Sequence, residues 1–125
     1  MELTSVTSAA APKAIGPYSP AIRANGLLFL SGQLGIDPET GELEKGVKAQ
    51  AERAMKNMEA LLAEEGLALK DVAKTTIFLS NIIDFAVVNE VYASRFAAPY
   101  PARSTVQVAA LPKGALVEIE AIALY

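Results

Sequence analysis

The chain reads as an α+β domain, a single sheet with two helices on one of its faces, in the order β-β-β-α-β-α-β-β. Three observations predict it. Hydrophobic spacing switches along the chain between alternation and a helical period of about 3.6 residues. A length of 125 residues allows one core and is too short for two. No repeat, low-complexity tract or linker interrupts the order, so residues 1–125 are expected to form one domain.

Each element follows from its own stretch. Residues 2–8 alternate weakly through Leu3 and Val6 and read as a short edge strand. Ala9 to Ser19 contains Pro12, Gly16 and Pro17 and is a loop. Ala21 to Ala24 and Leu27 to Gln33 are strand-like runs joined by Asn25-Gly26, a strong hairpin signal. From Val47 to Glu65 the period is helical, with Val47, Ala51, Ala54, Met55, Met58, Leu61 and Leu62 on one stripe and Gly66 as the stop. Val72 to Leu79 is rich in β-branched residues and reads as a buried strand. Asp84 is expected to cap a second helix that ends near Ala97, before Pro99. Two strands close the chain, Ser104 to Ala109 and Val117 to Tyr125.

Composition narrows the function. Fourteen acidic against eleven basic residues give a net charge of −3, with no clustered basic face to bind nucleic acid. Zero cysteines and zero histidines exclude thiol catalysis and remove the commonest metal ligand and acid/base group. No carboxylate spacing suggests a metal loop, and no run approaches the roughly 20 apolar residues of a membrane span. A soluble, cytoplasmic protein without metal, nucleic-acid or membrane partners is the expectation.

The remaining chemistry centres on Pro101-Ala-Arg-Ser-Thr-Val106 and Val117-Glu-Ile-Glu-Ala-Ile122. Alternation puts Arg103, Thr105 and Gln107 on one strand face and Glu118 with Glu120 on one face of the next. With both helices on one side, the opposite face is expected to carry the arginine and the glutamates and to pack against further subunits as a closed homo-oligomer. An arginine fork suits bidentate capture of a planar carboxylate, and a nearby glutamate can orient or deprotonate water. Together they suit hydrolysis of a small acid bearing an electrophilic carbon. A plain cross-strand ion pair explains the same charges.

Three other residues read two ways. Tyr18, fixed between Pro17 and Pro20, either packs its loop onto the core or walls a pocket. Ser31, followed by Gly32, either ends a strand or admits close approach of a ligand. Asn89 falls within about 40° of the helix stripe made by Phe85, Val88, Tyr92 and Phe96, and is a structural amide or a pocket group.

Gly16-Pro-Tyr-Ser19, Leu30-Ser-Gly-Gln33, Lys74-Thr-Thr-Ile-Phe78, Asp84-Phe-Ala-Val-Val-Asn89, Pro101-Ala-Arg-Ser104 and Leu111-Pro-Lys-Gly-Ala-Leu-Val-Glu-Ile-Glu-Ala-Ile122 occur together and in order over nearly the whole chain. In this the sequence closely resembles the RidA (YjgF/YER057c/UK114) family. The resemblance implies a chorismate-mutase-like fold, a homotrimer around a barrel of sheets with clefts between subunits, and cofactor-free hydrolysis of 2-imino or enamine acids (2-iminobutanoate, 2-iminopropanoate) to 2-keto acids and ammonia. By the same resemblance Arg103 is the substrate-carboxylate arginine and Glu118 the glutamate that positions the hydrolytic water. Tyr18, Ser31 and Asn89 match pocket-lining positions. Thr105 stands where some members carry cysteine, so its contribution is expected through the backbone, and Glu120 matches no catalytic position. The alternative within the family is a non-enzymatic ligand-binding, chaperone-like or translation-inhibiting protein; the charge and absent histidine speak against a ribonuclease.

Overall fold

The computed structural model describes residues 2–125. The strands are β1 (Thr4–Val6), β2 (Ala21–Ala24), β3 (Leu27–Leu34), β4 (Val72–Leu79), β5 (Ala102–Gln107) and β6 (Val117–Leu124), and the helices are α1 (Val47–Glu64) and α2 (Phe85–Arg95). The order matches the expected one, with β1 shorter than residues 2–8, β5 beginning two residues early and α2 stopping at Arg95.

Asn25 and Gly26 both take positive φ (53° and 79°), the geometry a two-residue hairpin needs, and they join β2 to β3. The six strands lie in the order β1-β2-β3-β6-β4-β5. All neighbours are antiparallel except β4 and β5, which run parallel through α2. The last strand thus inserts at the centre of the sheet, between β3 and β4.

Alternation then sorts the side chains. Val117, Ile119, Ala121 and Ala123 of β6 are buried under the helices, against Met55, Met58, Leu61 and Leu62 of α1 and Val88, Val91 and Tyr92 of α2. The opposite face carries Glu118 and Glu120 but also Phe29, Val106 and Leu124, which are 40%, 43% and 47% exposed. A sheet face with that much uncovered apolar surface is unusual for an isolated domain.

Asp84 does precede α2, but it does not cap it through its side chain. Its backbone is already helical, because a 3₁₀ turn over Ile82–Asp84 feeds directly into the helix. The capping oxygen sits three residues earlier: Asn81 Oδ1 accepts from Ile83 N–H at 3.0 Å. On α2, Val88 and Tyr92 are buried as expected, and Phe96 just beyond its end is buried too, whereas Phe85 lies at the rim.

Candidate active site

Arg103 does not lie on the open face with the glutamates. Its register partner on β4 is Thr75, a fully buried residue on the helix-covered side. The reason is topological: β5 is an edge strand reached through α2, and α2 packs over the same side. The Arg103 guanidinium carbon sits 4.8 Å from the centroid of the Tyr92 ring and 5.6 Å from that of Phe85. Such cation–π contacts contribute about 0.5–2 kcal/mol each. Nη1 donates to Asn89 Oδ1 at 2.8 Å. Asn89, one turn after Phe85, is therefore neither buried nor idle; it is exposed and holds the fork. Tyr92 is fixed in turn by a 2.7 Å hydrogen bond with Thr75 Oγ1. Burial raises the Tyr92 phenol above its ordinary value, against smaller opposing effects of the Thr75 bond and the Arg103 charge. The arginine pairs with no carboxylate among the described residues. Beside it on the strand, Thr105 buries a hydroxyl with no hydrogen-bond partner among the described residues.

Glu118 belongs to a different place. It stands on the open face of β6, half-buried, and lines a cavity of about 280 Å³ together with Tyr18, Gly32, Gln33, Lys13 and Lys113. Burial raises its carboxyl above the ordinary carboxylate value, and repulsion from Glu120 adds to the rise. The ladder between β3 and β6 slips by one residue between Leu30 and Gln33, a bulge that takes in Ser31 and Gly32. A Cβ on Gly32 would come within 2.6 Å of the Glu118 carboxyl carbon, so only glycine leaves room for this side chain.

Tyr18 is 53% exposed and walls the cavity, with its hydroxyl accepting a long 3.4 Å bond from Ile15 N–H. Ser31 does not line the cavity. Its hydroxyl donates to Ser19 C=O at 2.7 Å and ties the Tyr18 loop to β3. Lys13, Lys113 and Gln33 escaped the sequence reading. Gln33, 7% exposed within a strand of apolar residues, was the most legible of them, because a buried amide needs partners; its Nε2 donates to Ser31 C=O.

Within one chain the residues therefore form two groups on opposite faces of the sheet. Arg103, Asn89 and Thr105 lie at the β5 edge beside α2, and Glu118 and Tyr18 lie at the β3–β6 bulge. No three His, Cys, Asp or Glu side chains converge in a metal-binding arrangement among the described residues. Nor is any helix long and apolar enough to cross a membrane among the described residues.

A family model described as Endoribonuclease L-PSP matches residues 8–125. The chain belongs to the RidA family. Among its relatives, the Reactive Intermediate Deaminase A, chloroplastic, of Arabidopsis thaliana is 54% identical over 119 residues, covering 94% of this chain and 64% of that protein. The chain thus spans less than two thirds of that relative. The human 2-iminobutanoate/2-iminopropanoate deaminase is 47% identical over 120 residues, covering 95% of this chain and 88% of the relative. The crystal structure of RidA from the Antarctic bacterium Psychrobacter sp. PAMC 21119 superposes with a TM-score of 0.95 at 48% identity, over 98% of this chain and 99% of that one. The α+β fold of this RidA-family chain is accordingly the fold of that structure, with six strands and two helices.

Proposed function

We propose that this protein hydrolyses 2-imino and enamine acids to 2-keto acids and ammonia, as the names of its deaminase relatives describe for them. The observation that carries the reading is the Arg103 guanidinium, held on two rings and an amide yet left without a carboxylate. An arginine so placed lacks only the planar anion it is shaped for.

In this reading Arg103 fixes the substrate carboxylate, Asn89 keeps the fork aimed, and Thr105 adds a polar contact, through its backbone or through its unpartnered hydroxyl. Glu118 orients water towards C2 and takes its proton. Attack on C2, with that proton returned to the nitrogen, gives a carbinolamine; as it collapses to the keto acid its hydroxyl proton passes to the nitrogen, which leaves as ammonia. A carboxyl raised towards the working pH suits a group that must accept a proton and then return it. Imines already hydrolyse in water, so positioning and modest proton transfer suffice. Tyr18 walls the site, and Ser31 supports it by holding the Tyr18 loop.

Because the two groups lie on opposite faces of one sheet, the site is assembled between copies: Arg103, Asn89 and Thr105 from one, Glu118 and Tyr18 from the next. A homotrimer with three such clefts, its open sheet faces turned inward over Phe29, Val106 and Leu124, accommodates this. The same proposal takes the chain as one domain, needs neither metal nor cofactor, and places it in the cytoplasm with the enzymes that release such imines.

The test is a coupled dehydratase reaction with semicarbazide trapping the free imine. The wild-type protein is expected to lower semicarbazone formation, and Arg103→Ala to lose that effect by at least about tenfold. If wild-type protein leaves semicarbazone unchanged, the hydrolase reading fails; if Arg103→Ala matches wild type, the arginine is not the anchor.

A further inference from the structure

Glu118 makes no side-chain hydrogen bond among the described residues, although its position is what the cavity depends on. Its place is therefore set by backbone, and the backbone on both sides of the cavity is gripped by α1. Gln50, 5% exposed, is bonded at both ends of its amide. Oε1 accepts from Leu116 N–H at 2.8 Å, two residues before Glu118. Nε2 donates to Glu44 C=O at 3.0 Å in the connection that leaves β3. The backbone of Gln50 also lies flush against Gly35, where an added Cβ would fall 2.4 Å from Gln50 Cα. Seven residues on, and so on the same helix face, the fully buried Asn57 donates through Nδ2 to Leu34 C=O at 3.1 Å and to Ile36 C=O at 2.9 Å. Leu34 and Ile36 are themselves cavity-lining residues. Asn57 Oδ1 finds no partner among the described residues, so its donors alone account for an amide where an apolar side chain would avoid a buried lone oxygen.

We propose that Gln50 is a positioning residue for the Glu118 cavity, joining the exit of β3 to the start of β6, with Asn57 as a second clamp on the same wall. This rests on reading Glu118 as the water-positioning group, and it adds a part of the machinery that touches no substrate. A methionine would fill the Gln50 volume and release both bonds. A glutamate would keep the acceptor for Leu116 N–H and lose the donor to Glu44.

The experiment uses the full chain. NMR titration of the Glu118 side-chain carboxyl, assigned against Glu118→Gln, reads the cavity without substrate, and the semicarbazide assay reads the rate of imine loss. The charges that face Glu118 are Glu120 along β6 and Lys13 and Lys113 across the cavity, whereas β3 and the neighbouring Phe78 of β4 bring none. None of these is altered by the variants. In Gln50→Met the Glu118 titration is expected to move towards that of free glutamate, and the rate to fall by about tenfold. Gln50→Glu, which keeps the bond from Leu116 and loses the bond to Glu44, is expected to fall between Gln50→Met and wild type in both readings. An unshifted Glu118 titration in Gln50→Met, or equal damage from the two variants, overturns the proposal. Should Gln50→Met not fold, Asn57→Ser gives the same reading from the second clamp, and an unshifted titration there overturns it equally. A wild-type protein inactive on imines counts against the proposed reaction alone, since the titration is decided without it.

Discussion

In the proposed reaction Arg103 and Glu118 are prepared by opposite means. The arginine is over-supported, by Tyr92, Phe85 and Asn89, and lacks only an anion. The glutamate is under-supported and held in a place that disfavours its charge. That has a signed consequence. With its folded value raised, Glu118 holds its proton more tightly in the folded chain than in the unfolded one. Its stabilising contribution is complete below the ordinary carboxylate range and is lost as pH rises through the raised value, so at neutral pH the ionised group is a cost. Glu118→Gln is therefore expected to raise Tm at pH 7 and to change it little at pH 4. The same variant should lose acceleration of imine hydrolysis. A Tm that falls at pH 7 would mean that the carboxylate makes a stabilising contact. At this scale the sequence was a fair guide to which residues matter and a poor one to how. Asn89 was legible because an amide beside an apolar stripe must bond to something; that its partner is Arg103 depends on a strand pairing no local pattern encodes.

Among the elements, α2 carries the Arg103 cradle, and its start is set by Asn81 rather than by Asp84. Asn81→Ala removes the acceptor for Ile83 N–H and is expected to destabilise the protein by about 0.5–2 kcal/mol in thermal or urea unfolding. Asp84→Ala, which breaks no capping bond, is expected to stay within about 0.5 kcal/mol. A reversal of that order would restore Asp84 as the cap. The misplacement has a physical cause. Asn81 and Asp84 are both good cap residues ahead of an apolar helix, and only the 3₁₀ turn between them decides which one faces free N–H groups. Long periodic elements suffered no such ambiguity: α1 and β4 lie where the period of their apolar residues puts them. What the apolar stripe of α1 concealed was its polar content. Gln50 and Asn57 sit inside that stripe, and a polar residue seven positions from another on a buried face is itself a sign of backbone being held.

For the molecule as a whole, the sheet order was out of reach of sequence pattern, because inserting β6 between β3 and β4 is a non-local choice among strands that look alike. That choice places Arg103 and Glu118 on opposite faces, and it makes the inter-copy site testable by mixing. Arg103→Ala and Glu118→Gln proteins, each inactive alone, should recover activity when unfolded together and reassembled. If each cleft draws its arginine from one copy and its glutamate from the next, random assembly leaves about one cleft in four intact. No recovery would mean that both groups act within a single chain. The slip at Ser31 and Gly32 carries a last implication, concerning parity. Leu30 points under the helices, and so does Gln33, three residues later rather than two or four. A chain one residue shorter at this point would keep every side chain of β3 on its present face, with an unbroken ladder to β6. The extra residue is thus surplus to the grammar of the strand. Its justification lies across the sheet, in the space it leaves for one carboxylate.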